Sequence, residues 1–374
     1  MRKLKKITKI TACYMVKNEQ DNLPRSLESL KSQVDEIVIV DTGSTDDTIK
    51  IAKSYKAKIL TTVWQDDFST PRNLAIDNAT GDWIIFLDAD EYFLKPKCIR
   101  KAIEHLSKNE AIMIPRIDID KETLTEINRG WSLRIFRNVA HLRYRGLIHE
   151  NITNIEGDDL NYVFGNEDLT IYHTGYSGKI IRNKLLRNLE IIEHEIKLIG
   201  HQPQHDIALA DCYAGLQDYE KSLYYAQQAL NSSAEAITSR GNLYHKVLNA
   251  MRALKYPDSE MLPVAEEAIR VLPNLPEFYA ERGMILCGLN RLDEAYISLH
   301  KSLEVWHKMN YNVYEESYFA QAADKVYARI AEIEAYVGNF NEAIRNITEA
   351  IKLSPQNKNY RKLYEDWQQN CRQN

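Results

Sequence analysis

The sequence predicts two folds in tandem, an α/β domain on a mostly parallel sheet over residues 1–178 and an all-α repeat domain over residues 179–374. Three observations predict this. Short apolar runs alternate with amphipathic segments through the first third, the signature of βαβ units. From about Lys179 the strand-like runs vanish, and Ala, Leu, Tyr, Glu and Lys recur at helical spacing to the end. With 374 residues, the chain also exceeds the size at which one hydrophobic core keeps growing.

Taken in order, the expected strands are Ile10–Val16, Glu36–Asp41, Lys58–Thr62 and Trp83–Leu87, and the expected helices Asn22–Ser32, Asp46–Tyr55 and Pro71–Ala79. That alternation makes a doubly wound half-fold, in which ligands bind beyond the carboxyl ends of the strands. In the second domain one template recurs. It is carried by Tyr219 with Ala226 and Ala229, by Leu292 with Ala295 and Ser302-Leu303, and by Phe340 with Ala343, Ala350-Ile351 and Pro355, while Ala268 to Pro273 supplies the end of a fourth copy. These copies look like tetratricopeptide repeats, where small residues let paired helices approach and a proline stops the second helix. Uneven spacing, against about 34 residues in the ideal repeat, marks them as degenerate; a generic helical bundle is the alternative.

Composition narrows the function classes. Apolar residues make up 44% and charged residues 27% of the chain, as in an ordinary globular protein. A net charge of −5 with interspersed signs gives no support for nucleic acid as the main partner. The basic start Met1-Arg-Lys-Leu-Lys-Lys mimics a signal peptide, but Ile7 to Val16 is interrupted by Thr8 and Lys9 and reads as a buried strand. No stretch approaches the roughly 20 apolar residues of a membrane span. The five cysteines, Cys13, Cys98, Cys212, Cys287 and Cys371, are scattered without CxxC spacing, which suggests a reducing cytoplasm and no structural zinc. GxxxxGK[ST], GxGxxG and GxSxG are all missing, so P-loop, dinucleotide and α/β-hydrolase readings lack their anchors.

The strongest chemical signal is Gly81-Asp-Trp-Ile-Ile-Phe-Leu-Asp88-Ala-Asp90-Glu91, an apolar strand ending in three carboxylates. Carboxylates there cost desolvation unless something positive pairs with them. A divalent cation bridging a nucleotide diphosphate is a natural partner, since Mg²⁺ or Mn²⁺ takes one or two protein carboxylates plus phosphate oxygens. Asp41 ends the second expected strand, where a carboxylate can accept a hydrogen bond from a base or ribose hydroxyl. Thr42-Gly-Ser-Thr-Asp46 reads equally well as a turn with a helix cap.

The run Ala12-Cys-Tyr-Met-Val-Lys17-Asn18-Glu19, then Ile37-Val-Ile-Val-Asp41-Thr-Gly-Ser44-Thr-Asp46, then Arg72-Asn73, then Asp88-Ala-Asp90-Glu91, resembles the family-two inverting glycosyltransferases of GT-A fold. The resemblance implies a Rossmann-like mixed sheet and a UDP-sugar donor touched by Met15, Asn18, Glu19, Asp41, Ser44, Arg72, Asp88, Ala89 and Asp90, with Mn²⁺ or Mg²⁺ as cofactor. A second cluster, Trp131-Ser-Leu-Arg134-Ile-Phe-Arg137, Tyr144-Arg-Gly146-Leu-Ile-His149-Glu150 and Ile171-Tyr-His173-Thr-Gly175-Tyr176, with Lys184 and Arg187-Asn188 beyond, is similar to lipopolysaccharide-core glucosyltransferases and to peptide glycosyltransferases that modify bacteriocins. By that likeness, Asp88, Asp90 and His173 are expected at the metal, and Lys184 and Arg187 at the charge of the leaving group. Inverting transfer also needs a base for the acceptor; Glu150 is the candidate, with His149 beside it to orient or tune it.

The expected function is therefore hexose transfer from a UDP-sugar to a Ser, Thr or Cys side chain of a peptide held by the repeats, whose superhelix offers a concave surface. Two rivals stand beside it. One is a peripheral enzyme acting on a lipopolysaccharide core or other envelope glycan, with the repeats serving homodimerisation or assembly; the other is a scaffold whose α/β domain has lost activity.

Overall fold

The computed structural model describes residues 8–94, 99–104, 106, 110–157, 160–175, 181–232, 240–309 and 317–373. Cys98, Tyr176 and Lys179 lie outside the described residues. The chain forms two compact units, the first of Met1–Thr125 with Arg129–Leu216, the second of Gln217–Asn374 with Glu126–Asn128. The change to helix near residue 179 and the edge of the first unit at Leu216 thus fall at different places. Two helices, α5 (Ile181–Ile199) and α6 (Pro203–Gly215), belong to the unit that holds the sheet.

The first unit opens with β1 (Ile10–Val16), α1 (Leu23–Leu30), β2 (Glu36–Asp41), α2 (Thr48–Ser54), β3 (Lys58–Thr61), α3 (Ser69–Asp77) and β4 (Trp83–Phe86). Each expected strand is found with its start unchanged, the third and fourth one residue shorter, and each expected helix is present with ends moved by about two residues. Then follow β5 (Glu91–Phe93), α4 (Ile99–Glu104), β6 (Ala111–Ile119), β7 (Glu126–Arg137), β8 (Leu142–Arg145), β9 (Asn151–Asn154), β10 (Tyr162–Phe164) and β11 (Ile171–His173). The main sheet runs in the order β3-β2-β1-β4-β7-β6-β11-β5, with β10 also on β6, and β8 and β9 form a separate antiparallel pair. Strands β1 to β4 are mutually parallel, whereas β7 runs antiparallel to β4, so the sheet is mixed.

Successive side chains of a strand leave opposite faces, and the central strands are covered on both. Ile10, Ala12, Tyr14 and Val16 of β1, with Trp83, Ile85 and Leu87, pack under Leu23, Leu27 and Leu30 of α1. Cys13, Val38, Val40, Ile84 and Phe86 face the other way, toward Ala75 and Ile76 of α3. This alternation decides the site: two residues beyond Phe86, Asp88 emerges on the α3 face.

In the second unit the helices are α7 (Tyr219–Asn231), α8 (Arg240–Ala253), α9 (Asp258–Val271), α10 (Pro276–Gly288), α11 (Leu292–Lys308), α12 (Ala323–Tyr336), α13 (Phe340–Leu353) and α14 (Lys358–Gln373). The template positions Ala226, Ala229, Ala268, Ala295, Ser302, Ala343 and Ala350 are all fully buried. Small residues there let helices approach: a side chain on Gly283 of α10 would meet Leu299 of α11 at 2.6 Å. Pro273 and Pro355 follow two residues after α9 and α13 end, where a helix cannot continue through them. The unit is a tetratricopeptide-like helical array. No helix among the described residues is long and apolar enough to cross a membrane.

Candidate active site

Beyond the carboxyl ends of β1, β2 and β4, backbone and side chains knit the loops together. Asn18 takes a left-handed conformation, φ 56°, which asparagine tolerates better than most residues. Its N–H donates to Ser44 Oγ at 2.9 Å, and its Oδ1 accepts from the Thr45 N–H at 2.7 Å. Asp41 is buried, and its carboxylate accepts the N–H groups of Gly43 and Ser44, so it closes its own turn. Glu19 accepts from Asn22 Nδ2 at 2.8 Å, and burial, aided by the charges of Asp90 and Asp88, raises its carboxyl above the usual range. The exposed Lys184 on α5 supplies an opposing charge to it. Met15 is half-buried on the α3 face of β1 and Ala89 is buried against the α1 face.

Next to these loops runs a ladder of alternating charges. Arg72, in the first turn of α3, lies against the rings of Phe86 and Tyr144, with its guanidinium carbon 4.8 and 5.2 Å from their centroids. Its Nη2 donates to Asp88 Oδ1 at 2.9 Å and its Nε to Glu150 Oε1. Arg134 of β7 donates from Nη2 to the other Asp88 oxygen at 3.2 Å and grips Glu91 through two bonds of 2.8 Å. The pairing of β7 with β4, Ile85 opposite Ile135 and Ile84 opposite Phe136, is what carries Arg134 to this end of the sheet. Burial opposes the charge of Asp88, but the two arginines outweigh it and hold the carboxyl well below its ordinary range. Asn73 faces away from the ladder: its amide exchanges two hydrogen bonds with the backbone of Tyr144 and fixes α3 to β8.

Across from Asp88, β11 lies between β6 and β5 with His173 opposite Asp118 on one side and Glu91 on the other. His173 Nδ1 is 2.8 Å from Asp118 Oδ1, and its Nε2 faces Asp90 Oδ2 at 3.4 Å. Burial works against an imidazolium here, but hydrogen bonds to Asp118 and Asp90 push the pKa up to about 10. Gly175 borders this pair so closely that a Cβ would stand 2.5 Å from both Asp90 Oδ2 and His173 Nε2.

That cradle fits a divalent cation. A ring whose second nitrogen is fixed by a carboxylate is the usual arrangement of a metal-binding histidine, and Asp90 adds an oxygen on the same side. Among the described residues no cluster of three metal-capable side chains occurs, so most of the coordination sphere would belong to diphosphate and water. Asp88 differs from Asp90 in having both oxygens engaged by arginines.

The remaining expected residues are spread around this centre. Arg187 lies over Phe68, bonds Asn188 Oδ1 at 2.8 Å and leaves a buried Nε unpartnered. His149 is exposed in a left-handed conformation, φ 52°, with no side-chain hydrogen bond among the described residues, so the structure brings Glu150 into the ladder and not its neighbour. Arg134, Glu91 and Asp118 were not singled out for a role by sequence. Asp118 carried a signal nonetheless: a carboxylate inside the mostly apolar strand Ala111–Ile119, at a position that turns out to be 1% exposed.

Residues 11–158 match the model described as glycosyl transferase family 2. A TPR repeat-containing protein of Synechococcus elongatus is 38% identical over 144 residues, covering 38% of this chain and 35% of its own length. The SPbeta prophage-derived glycosyltransferase SunS of Bacillus subtilis is 28% identical over 233 residues, 60% of this chain and 53% of its own. The chain thus matches between a third and about half of these relatives' lengths. Among solved structures, TarS 1-349 of S. aureus shares 14% identity, covering 81% of this chain and 93% of its own, with a TM-score of 0.35.

Proposed function

We propose that this chain, whose residues 11–158 form a glycosyl transferase family 2 domain, transfers a hexose from a UDP-sugar to a Ser, Thr or Cys side chain of a peptide, with inversion at the sugar carbon. The observation that carries this reading is the ladder Glu150–Arg72–Asp88–Arg134–Glu91 standing beside the Asp90–His173 pair, at the carboxyl end of the central strands. It sets a carboxylate for proton removal next to a site suited to a diphosphate.

Each group then has a task. The loops joined by Asn18, Ser44 and Asp41 receive the nucleoside, with Asp41 both shaping the turn and facing the ligand. Asp90 and His173 hold Mn²⁺ or Mg²⁺, which supplies Lewis-acid stabilisation of the departing diphosphate when bound. Arg72 engages one oxygen of Glu150 and leaves the second to take the acceptor proton. As that proton moves to Glu150, the acceptor oxygen or sulfur forms its bond to the anomeric carbon, and the bond from that carbon to the diphosphate oxygen breaks with its electron pair leaving on UDP. Lys184 and Arg187 on α5 add positive charge on the side of the leaving group. Support for a peptide acceptor comes from the tetratricopeptide-like unit, an architecture whose concave surfaces suit extended chains.

The test is Glu150→Gln, assayed with a panel of UDP-hexoses against peptide and glycolipid acceptors. Turnover on a hydroxyl acceptor is expected to fall on the order of a hundredfold or more with UDP affinity retained. A smaller loss is expected with a thiol acceptor, which ionises more easily. Full activity of the variant on hydroxyls would remove Glu150 from the role, and transfer to glycolipid but not peptide would replace the acceptor.

A further inference from the structure

Helix α5 carries a glutamate whose position packing alone does not account for. Glu195 is 9% exposed on a helix that has water available on its other side, although burying a carboxylate is costly unless its lone pairs are used. They are used on the segment that bears Glu150. Oε1 of Glu195 accepts the Leu147 N–H at 2.9 Å, while the carbonyl of the same residue accepts the Phe68 N–H at 2.9 Å. One residue earlier, the Gly146 carbonyl accepts Ser69 Oγ at 2.6 Å. Residues 146 and 147 are thereby clamped between the start of α3 and the C-terminal part of α5. Both Gly146, φ 99°, and His149, φ 52°, have left-handed backbone, so the segment has to be held in an uncommon path.

A second residue stands beside the glutamate's other oxygen. His205 of α6 is 2% exposed, and its Nδ1 accepts the Gln202 N–H at 2.9 Å. The ring proton of a neutral imidazole then sits on Nε2, which faces Glu195 Oε2 at 3.6 Å. Burial holds this histidine below its ordinary range, in keeping with the neutral form.

We infer that Glu195 is a positioning residue for Glu150: through the Leu147 amide it fixes the path of residues 146–150 and so the approach of the Glu150 carboxylate to Arg72. The α5–α6 hairpin is accordingly a working part of the transferase unit and not the first element of the repeats, which agrees with its place in the same compact unit as the sheet. This rests on the reading of Glu150 as the base.

The experiment uses the full chain and hydrolysis of whichever UDP-hexose it turns over fastest. Glu195→Leu removes the acceptor and is expected to lower kcat about tenfold or more, since a small misplacement of a reacting group has effects of that size. KM for the donor is expected to stay within about twofold, because the donor loops lie on β1 and β2. Glu195→Gln keeps an oxygen for Leu147 and should restore most of kcat. In a Glu150→Gln background, Glu195→Leu should cost almost nothing further. Should Glu195→Leu fail to fold, Glu195→Asp, which withdraws the oxygen by one methylene, must show the same loss of kcat. Unchanged kcat in these variants, or fully additive losses with Glu150→Gln, would overturn the inference. Amide hydrogen exchange across residues 141–150 separates it from the reading beneath: if Glu150→Gln proves fully active, faster exchange in Glu195→Leu but not Glu195→Gln still shows that Glu195 holds the segment, and unaltered exchange in both rejects it.

Discussion

The two compact units use the same charged residues in opposite ways. In the first, Arg72, Arg134, Asp88, Glu91 and Glu150 come from four separate stretches of chain and meet in a mostly buried row, with Glu91 only 1% exposed. In the second, Arg291 with Glu294, Lys301 with Glu304, Arg345 with Glu342 and Lys352 with Glu349 are near neighbours on single helices and stand in water. The first arrangement has folding energy and geometry at stake, because a charge left unpaired in a poorly solvated place is costly. The second is screened and adds little. Burial is what separates the two sets.

Breaking each pattern tests that contrast. Arg134→Met strands Glu91 and frees one oxygen of Asp88, and is expected to destabilise the first unit by about 3–5 kcal/mol, read by urea unfolding, with loss of donor turnover. A drop of less than about 1 kcal/mol would mean that the ladder is better hydrated than its burial indicates. In the second unit the vulnerable feature is packing. Ala343→Leu overfills a fully buried position and should cost about 1–3 kcal/mol while leaving UDP affinity unchanged, since the ligand loops lie in the other unit. A change in UDP affinity would show the units to be energetically coupled. Smallest of all, Glu294→Gln removes the partner of an exposed arginine, and no measurable shift in Tm is expected.

Much of the fold was legible in sequence because its signals are local. Strands β1, β2 and β4 are built on apolar runs, and the small residues of the repeats mark where helices touch. Asp90 and His173 stood out because each ends an apolar run. What was not legible depends on pairing at a distance: Arg134 lies 43 residues from Glu91 in the chain, and only the antiparallel register of β7 on β4 joins them. The allegiance of α5 was hidden for a different reason. Its amphipathic pattern is the same as that of the repeat helices, and Glu195, which ties it to the Leu147 amide, looks in sequence like any solvated glutamate. His149 stands beside Glu150 in sequence, but it is exposed and makes no side-chain hydrogen bond to it among the described residues.

The central claim is that the carboxyl end of this sheet binds a nucleoside diphosphate through a cation held at Asp90 and His173. Titration calorimetry of UDP into the full chain with Mn²⁺ tests it most directly, alongside Asp90→Ala confirmed as folded by its thermal transition. One saturable site is expected, weakened strongly when the cation is chelated and in Asp90→Ala. Absence of UDP binding by the unaltered chain, or binding that is indifferent to both the cation and Asp90, would contradict it.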